Sequence, residues 1–140
     1  MASVQQLCEG LMRRAETIAG LNCYAVVPAD PITPAMVVVG PVRWTYDEVM
    51  GDDGQQYWRP VFELALFVNG ADYHGGQRQL HAYLAPNGTK SLLAAIHGDP
   101  TLGGVADFAK VLGGGQPPTE VDVAGVKQLR CSLEVEVYAM

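Results

Sequence analysis

Basic charge is what this sequence has least of. Lys and Arg number 9 in 140 residues against 15 Asp and Glu, and Arg13-Arg14 is the one adjacent basic pair. A tight nucleic-acid binder needs several phosphate-neutralising cations on one surface, so DNA or RNA binding is not expected. The net charge of −6 would repel DNA, which suits a passage better than a binding site. Charge of either sign is also scarce, at 17% of residues, where aqueous surfaces run to roughly 25–35%. That shortfall hints at surface covered by a partner. Cysteine is sparse: Cys8, Cys23 and Cys131 are an odd set without CxxC spacing, which reads as buried thiols in a reducing compartment. No apolar run approaches about 18 residues, so no membrane span is expected. The N-terminus lacks the basic-then-apolar pattern of a signal peptide, and folding in a cytoplasm is the expectation.

What is present is apolar material, 49% of residues, enough for one domain over 1–140 that buries roughly two-thirds of its unfolded surface. Its longest apolar face lies in Tyr57–Asn69. At period two, Trp58, Pro60, Phe62, Leu64, Leu66 and Val68 share one side, so something must pack on that strand.

The rest of the chain reads as its surroundings. Ser3 and Gln6 have capping-box spacing before an apolar stripe of Val4, Leu7, Leu11, Ala15 and Ile18, a helix that Gly20 stops. Asn22–Val27 reads as a short strand and Pro28–Pro34 as a proline-rich connection. Ala35–Val39 reads as a strand buried on both faces, interrupted by Gly40-Pro41. Arg43–Val49 and Tyr57–Asn69, with Gly51–Gly54 between, make a long hairpin with an acidic tip. Asp72 is placed to cap a helix to about Leu84 with Tyr73, Leu80 and Leu84 inward, weakened by Gly75 and Gly76. Thr89 is placed to cap a helix over Lys90–His97. Val105–Leu112 reads as a strand carrying Val105, Phe108 and Val111. Thr119–Val123 and Val126–Ala139 read as a hairpin across Ala124-Gly125. The sum is an α+β fold: a mostly antiparallel mixed sheet, helices packed on one face, and a long protruding β-hairpin.

No catalytic, cofactor or metal residue emerges. Asp47, Glu48, Asp52 and Asp53 lack the register of a calcium loop and read as solvated turn chemistry. His74 and His81 are separated by about 10 Å along a helix, too far to share a zinc ion unaided. Neither they nor His97 has a Ser or Cys in a nucleophile-elbow sequence to work with. Gly113–Gly115 lacks the Lys-Ser/Thr of a phosphate loop. The aromatic set Trp44, Tyr46, Tyr57 and Trp58 flanks the hairpin tip and leaves two readings open, core packing or a contact surface anchored by aromatics.

The run Tyr83-Leu-Ala-Pro-Asn-Gly-Thr-Lys-Ser-Leu-Leu-Ala-Ala-Ile-His-Gly-Asp-Pro-Thr-Leu-Gly-Gly104 resembles a stretch shared by tail terminator proteins of long-tailed actinobacteriophages. The helix, strand and proline-rich turn of Val4–Pro34 and the closing strand Val126–Ala139 fit the same family. The likeness spans nearly the whole chain, but only Tyr83–Gly104 is specific, and it carries no chemistry. His97, where an acidic residue is expected, and Gly75-Gly76 depart from the pattern. The resemblance implies a non-enzymatic virion protein without cofactors. It would form a ring, a hexamer by family analogy, on the head-proximal end of the tail tube. The ring ends tube polymerisation and meets the head-side connector, while genome DNA passes through its lumen. Implied partners are the chain itself, the major tail tube protein and the connector or stopper protein. The residues singled out for assembly are Arg43, Trp44, Tyr46, Asp47, Glu48, Tyr57, Trp58 and Arg59. Two alternatives remain: another head–tail joining or neck protein, and a small ligand-binding or enzymatic α+β domain with a site between helices and hairpin.

Overall fold

The structure, a computed structural model, describes residues 3–28, 32–48, 56–71, 73–123 and 125–139. Within those ranges the side chains of Asp47, Glu48, Gln56, Tyr57 and Tyr73 lie outside the description. So do the acidic tip with Asp52 and Asp53, and the cap assigned to Asp72.

Helix α1 (Val4–Ala15) starts on the capping box read from the sequence: Ser3 Oγ accepts from Gln6 N at 3.1 Å, and Gln6 Oε1 accepts from Ser3 N at 2.9 Å. Leu7, Leu11, Ala15 and Ile18 are buried as expected, while Cys8 joins them and Val4 stays exposed. The helix ends earlier than the Gly20 stop suggested. Thr17 Oγ1 donates to Arg14 O at 2.7 Å and Ile18 N to Ala15 O at 3.0 Å, so the chain leaves through tight turns before Gly20 takes its left-handed φ of 81°.

The strands are β1 (Asn22–Tyr24), β2 (Ala35–Glu48), β3 (Gln56–Asn69), β4 (Phe108–Gly113), β5 (Thr119–Val123) and β6 (Val126–Tyr138). With α1, α2 (Tyr73–Leu84) and α3 (Leu92–His97) they make an α+β fold with a mixed six-stranded sheet. Its order is β1-β2-β3-β6-β4, with β5 also on β6. Among the described residues only β1–β2 is parallel.

Gly40-Pro41 does not end the second strand. It forms a bulge at which the register passes from Val39↔Glu63 to Arg43↔Val61. β2 advances four residues there while β3 advances two. The excess is even, so each side chain beyond the bulge keeps its face of the sheet. Gly40 is required at this point: its φ is 152°, and a Cβ would lie 3.0 Å from Phe62 Cδ1 and 3.2 Å from Phe62 Cα.

Even-numbered residues of β2 and β3 face the helices. Met36, Val38, Phe62, Leu64, Leu66 and Val68 are buried against Leu7 and Leu11 of α1, Leu80 and Tyr83 of α2, and Leu92 and Ile96 of α3. Leu129, Cys131, Leu133, Val135 and Val137 of β6 complete this core, the alternation expected of the last strand. Three details differ from expectation or sharpen it. In α2 Leu80 is buried as expected, but Tyr83 is buried beside it and Leu84 is half-buried. β4 begins at Phe108, whose side chain is exposed, because Ala109 and Val111 take the core-facing parity opposite Val137 and Val135. The cap of α3 is Ser91, not Thr89: Ser91 Oγ accepts from Ala94 N at 3.1 Å and donates to Ala85 O at 2.5 Å.

A candidate assembly surface

The far half of the β2–β3 pair brings the singled-out residues into one ladder, with Trp44 opposite Pro60, Thr45 opposite Arg59, Tyr46 opposite Trp58, and Asp47 opposite Tyr57. The alternation sorts them into two chemistries. Val42, Trp44, Tyr46 and Trp58 continue the apolar, helix-side parity. Arg43 and Arg59 take the other face.

On the helix side the covering layer stops short. Trp44 is 53% exposed and Tyr46 62%, whereas Phe62 and Leu64 on the same face are fully buried. Phe62 and Leu64 thus occupy part of the space between helices and hairpin. Trp58 stands at the boundary. Its side chain packs on the core margin, and its backbone is tied to Ala139 in both directions, at 3.0 and 3.1 Å. Its indole Nε1 is buried with no acceptor among the described residues. Pro60 and Val61 are buried, so β3 belongs to the core as far out as Trp58.

On the opposite face the arginines are engaged. Arg43 forms an ion pair with Glu134, and the Arg59 guanidinium lies 5.9 Å from the centroid of the Tyr138 ring. Further along, Arg130 pairs with Glu63, donates to Gln116 Oε1 and covers the Phe67 ring at 5.6 Å. Glu63 and Glu134 sit directly opposite each other on β3 and β6. Two carboxylates in that position repel, and the pairings with Arg130 and Arg43 offset the repulsion. This network was missed from the sequence. Aligning Glu63 of β3 with Arg130–Glu136 of β6 would have exposed it.

The remaining reactive side chains are dispersed. Among the described residues no three His, Cys, Asp or Glu side chains are grouped to hold a metal ion. His97 Nε2 accepts from Val111 N at 3.2 Å, joining α3 to β4. None of the three cysteines is in a disulfide. Burial pushes the Cys23 thiol up to about 12 and Cys131 up to about 11, and it raises Cys8 as well. All three therefore remain protonated at neutral pH and are poor nucleophiles.

Tyr83–Gly104 forms the corner that locks the helices together. Arg14 Nε of α1 donates to Ala95 O of α3 at 2.9 Å. Gly10 of α1 lies so close to Leu102 that a Cβ would stand 3.0 Å from Leu102 Cβ. The Asp99 carboxylate accepts from Thr101 Oγ1 at 2.7 Å and Gly103 N at 3.0 Å, which holds its pKa below the usual carboxylate value. The loop then runs through buried Leu102 at φ 53° and Gly103 and Gly104 at 75° and 93°.

No protein-family model and no curated protein matches the chain.

Proposed function

We propose that this chain is a tail terminator, a virion protein of a long-tailed actinobacteriophage and not an enzyme. Copies of it close into a ring, a hexamer, on the head-proximal end of the tail tube. The ring stops tube polymerisation and presents its other side to the head-side connector. The β2–β3 hairpin protrudes from the domain, and its far half, Arg43–Glu48 with Tyr57–Arg59, makes assembly contacts.

The observation that carries this reading is the run Tyr83–Gly104. Its family-like residues are those with structural duties: Tyr83 and Ile96 in the core, Ser91 as helix cap, Asp99 and Gly103 in the closing turn. A segment that fixes a helix corner is what unrelated chemistry would not impose and a common fold would. The exposed aromatic pair Trp44 and Tyr46 supports an interface at the hairpin. The net charge of −6 suits a lumen through which DNA slides without sticking.

The test is tube capping. Polymerising tail tube protein of the same virion in the presence of this chain gives tubes with a ring at one end and blocked growth there. Tubes that lengthen unchanged and carry no added density at either end refute the proposal.

A further inference from the structure

Among the described residues ten large apolar side chains are exposed, and nine of them gather at two places. Val42, Trp44 and Tyr46 run along β2, continued by Val26, Val27, Ile32 and Val4 around its start. The first of these neighbours border a cleft of about 600 Å³ between α1 and β2 floored by Val38 and Gly40. Phe108 and Leu112 run along β4, beside a cleft of about 420 Å³ that includes His97 and Pro100. Single exposed apolar residues need no explanation, but contiguous strips mark contact surfaces.

Three features match the strips to each other. First, they occupy opposite margins of the sheet. β1 covers β2 only as far as Val37, so among the described residues β2 is itself an edge beyond that point, and β4 is an edge at the other end. Second, they face opposite ways. Trp44 and Tyr46 share the parity of Phe62 on the helix side, while Phe108 and Leu112 lie opposite the core-facing Ala109 and Val111. One copy's β2 margin can therefore lie against the next copy's β4 margin, as overlapping shingles do. Third, the balance of charge differs. The chain from Val42 to Trp58 carries Asp47, Glu48, Asp52 and Asp53 against one cation, Arg43, which is paired with Glu134 of its own copy. The β4 strip carries Lys110 between its two apolar residues, in register with Glu136.

We infer that copies of this chain join by a heterologous contact, in which Val42, Trp44 and Tyr46 of one copy seat on Phe108, Lys110 and Leu112 of the next. Such a contact leaves both partners with one unused strip, so it propagates until a ring closes. The inference deepens the ring-forming reading above and rests on it.

Trp44→Asp spoils one strip and Phe108→Asp the other. Both positions are exposed, and Tyr46→Asp with Leu112→Asp repeats the test should either first variant fail to fold. Sedimentation velocity is run on each folded variant, alone and mixed, with and without tail tube protein. The wild type is expected to form rings, each variant alone to stay monomeric, and the equimolar mixture to stop at dimers, because one intact strip of each kind remains. Rings from either variant alone overturn the contact, as does a mixture that stays monomeric. Rings that persist in both variants and still cap tubes sink the contact and leave the tail-terminator function standing. Wild-type rings that never cap tubes, with dimers in the mixture, sink the function and leave the contact.

Discussion

Gly76 shows how a residue that weakens a helix locally can be required by its neighbours. A glycine inside α2 costs about 1 kcal/mol relative to Ala in intrinsic helix propensity. Yet a Cβ at Gly76 would stand 2.8 Å from Leu129 Cδ1 and 3.0 Å from Asn69 O, so the helix lies on β3 and β6 at a distance only glycine permits. Gly76→Ala is therefore expected to destabilise by about 1–3 kcal/mol despite the gain in propensity, the usual range for overpacking; urea denaturation showing a more stable variant would contradict the close approach. Ser91 is a second such position, since its hydroxyl both caps α3 and donates to Ala85 O. Ser91→Ala should cost about 1–3 kcal/mol, measured the same way, because it leaves a helix N–H and a carbonyl without their partner. Asp99 gives a prediction in pH. Hydrogen bonds from Thr101 and Gly103 lower its pKa in the folded chain, so its contribution is complete above the unfolded Asp value of about 3.9 and is lost as pH falls through the lower folded value. The Gly103 amide resonance should titrate with a midpoint below that of a free Asp; a midpoint at or above it would show that the turn does not favour the carboxylate.

At the scale of elements, the β2–β3 hairpin carries one apolar face under two different roofs. Leu64 and Trp44 share that face, but Leu64 is fully buried beneath the helices and Trp44 is 53% exposed beyond them. Leu64→Ala should cost about 2–5 kcal/mol, while Trp44→Ala should change the unfolding free energy by no more than about 0.5 kcal/mol. Thermal denaturation of the two variants distinguishes them, and a large loss at Trp44 would return that residue to the core. Much of this architecture was legible in the sequence. Period-two alternation located Phe62–Val68 and Leu129–Val137, and the Ser3–Gln6 spacing located the start of α1, because those signals are local. The continuity of β2 through Gly40-Pro41 was not legible. Whether such a pair ends a strand or bulges within it depends on the partner strand, and only the register with β3 decides. For the same reason Ser91 displaced Thr89 as the cap: the choice turns on a hydrogen bond to Ala85, outside the helix. The strand was read as carrying Val105, Phe108 and Val111 without a face for each, whereas the pairing of Phe108 with Tyr138 fixes it on the outer face. Of the candidate assembly residues, the sequence supplied the aromatic cluster but could not separate Trp58, anchored to Ala139, from Trp44 and Tyr46, which are bare.

The whole molecule is a sheet with helices on one side and two apolar margins, acidic in balance, and its proposed work is done by copies acting together. One measurement addresses that claim most directly: native mass spectrometry of the purified chain, alone and with tail tube protein, combined with electron microscopy of the tube ends. The account predicts a closed hexamer, free or at the tube end, and tubes that cease to grow where it sits. A chain that stays monomeric under both conditions while tubes elongate unchecked would contradict it.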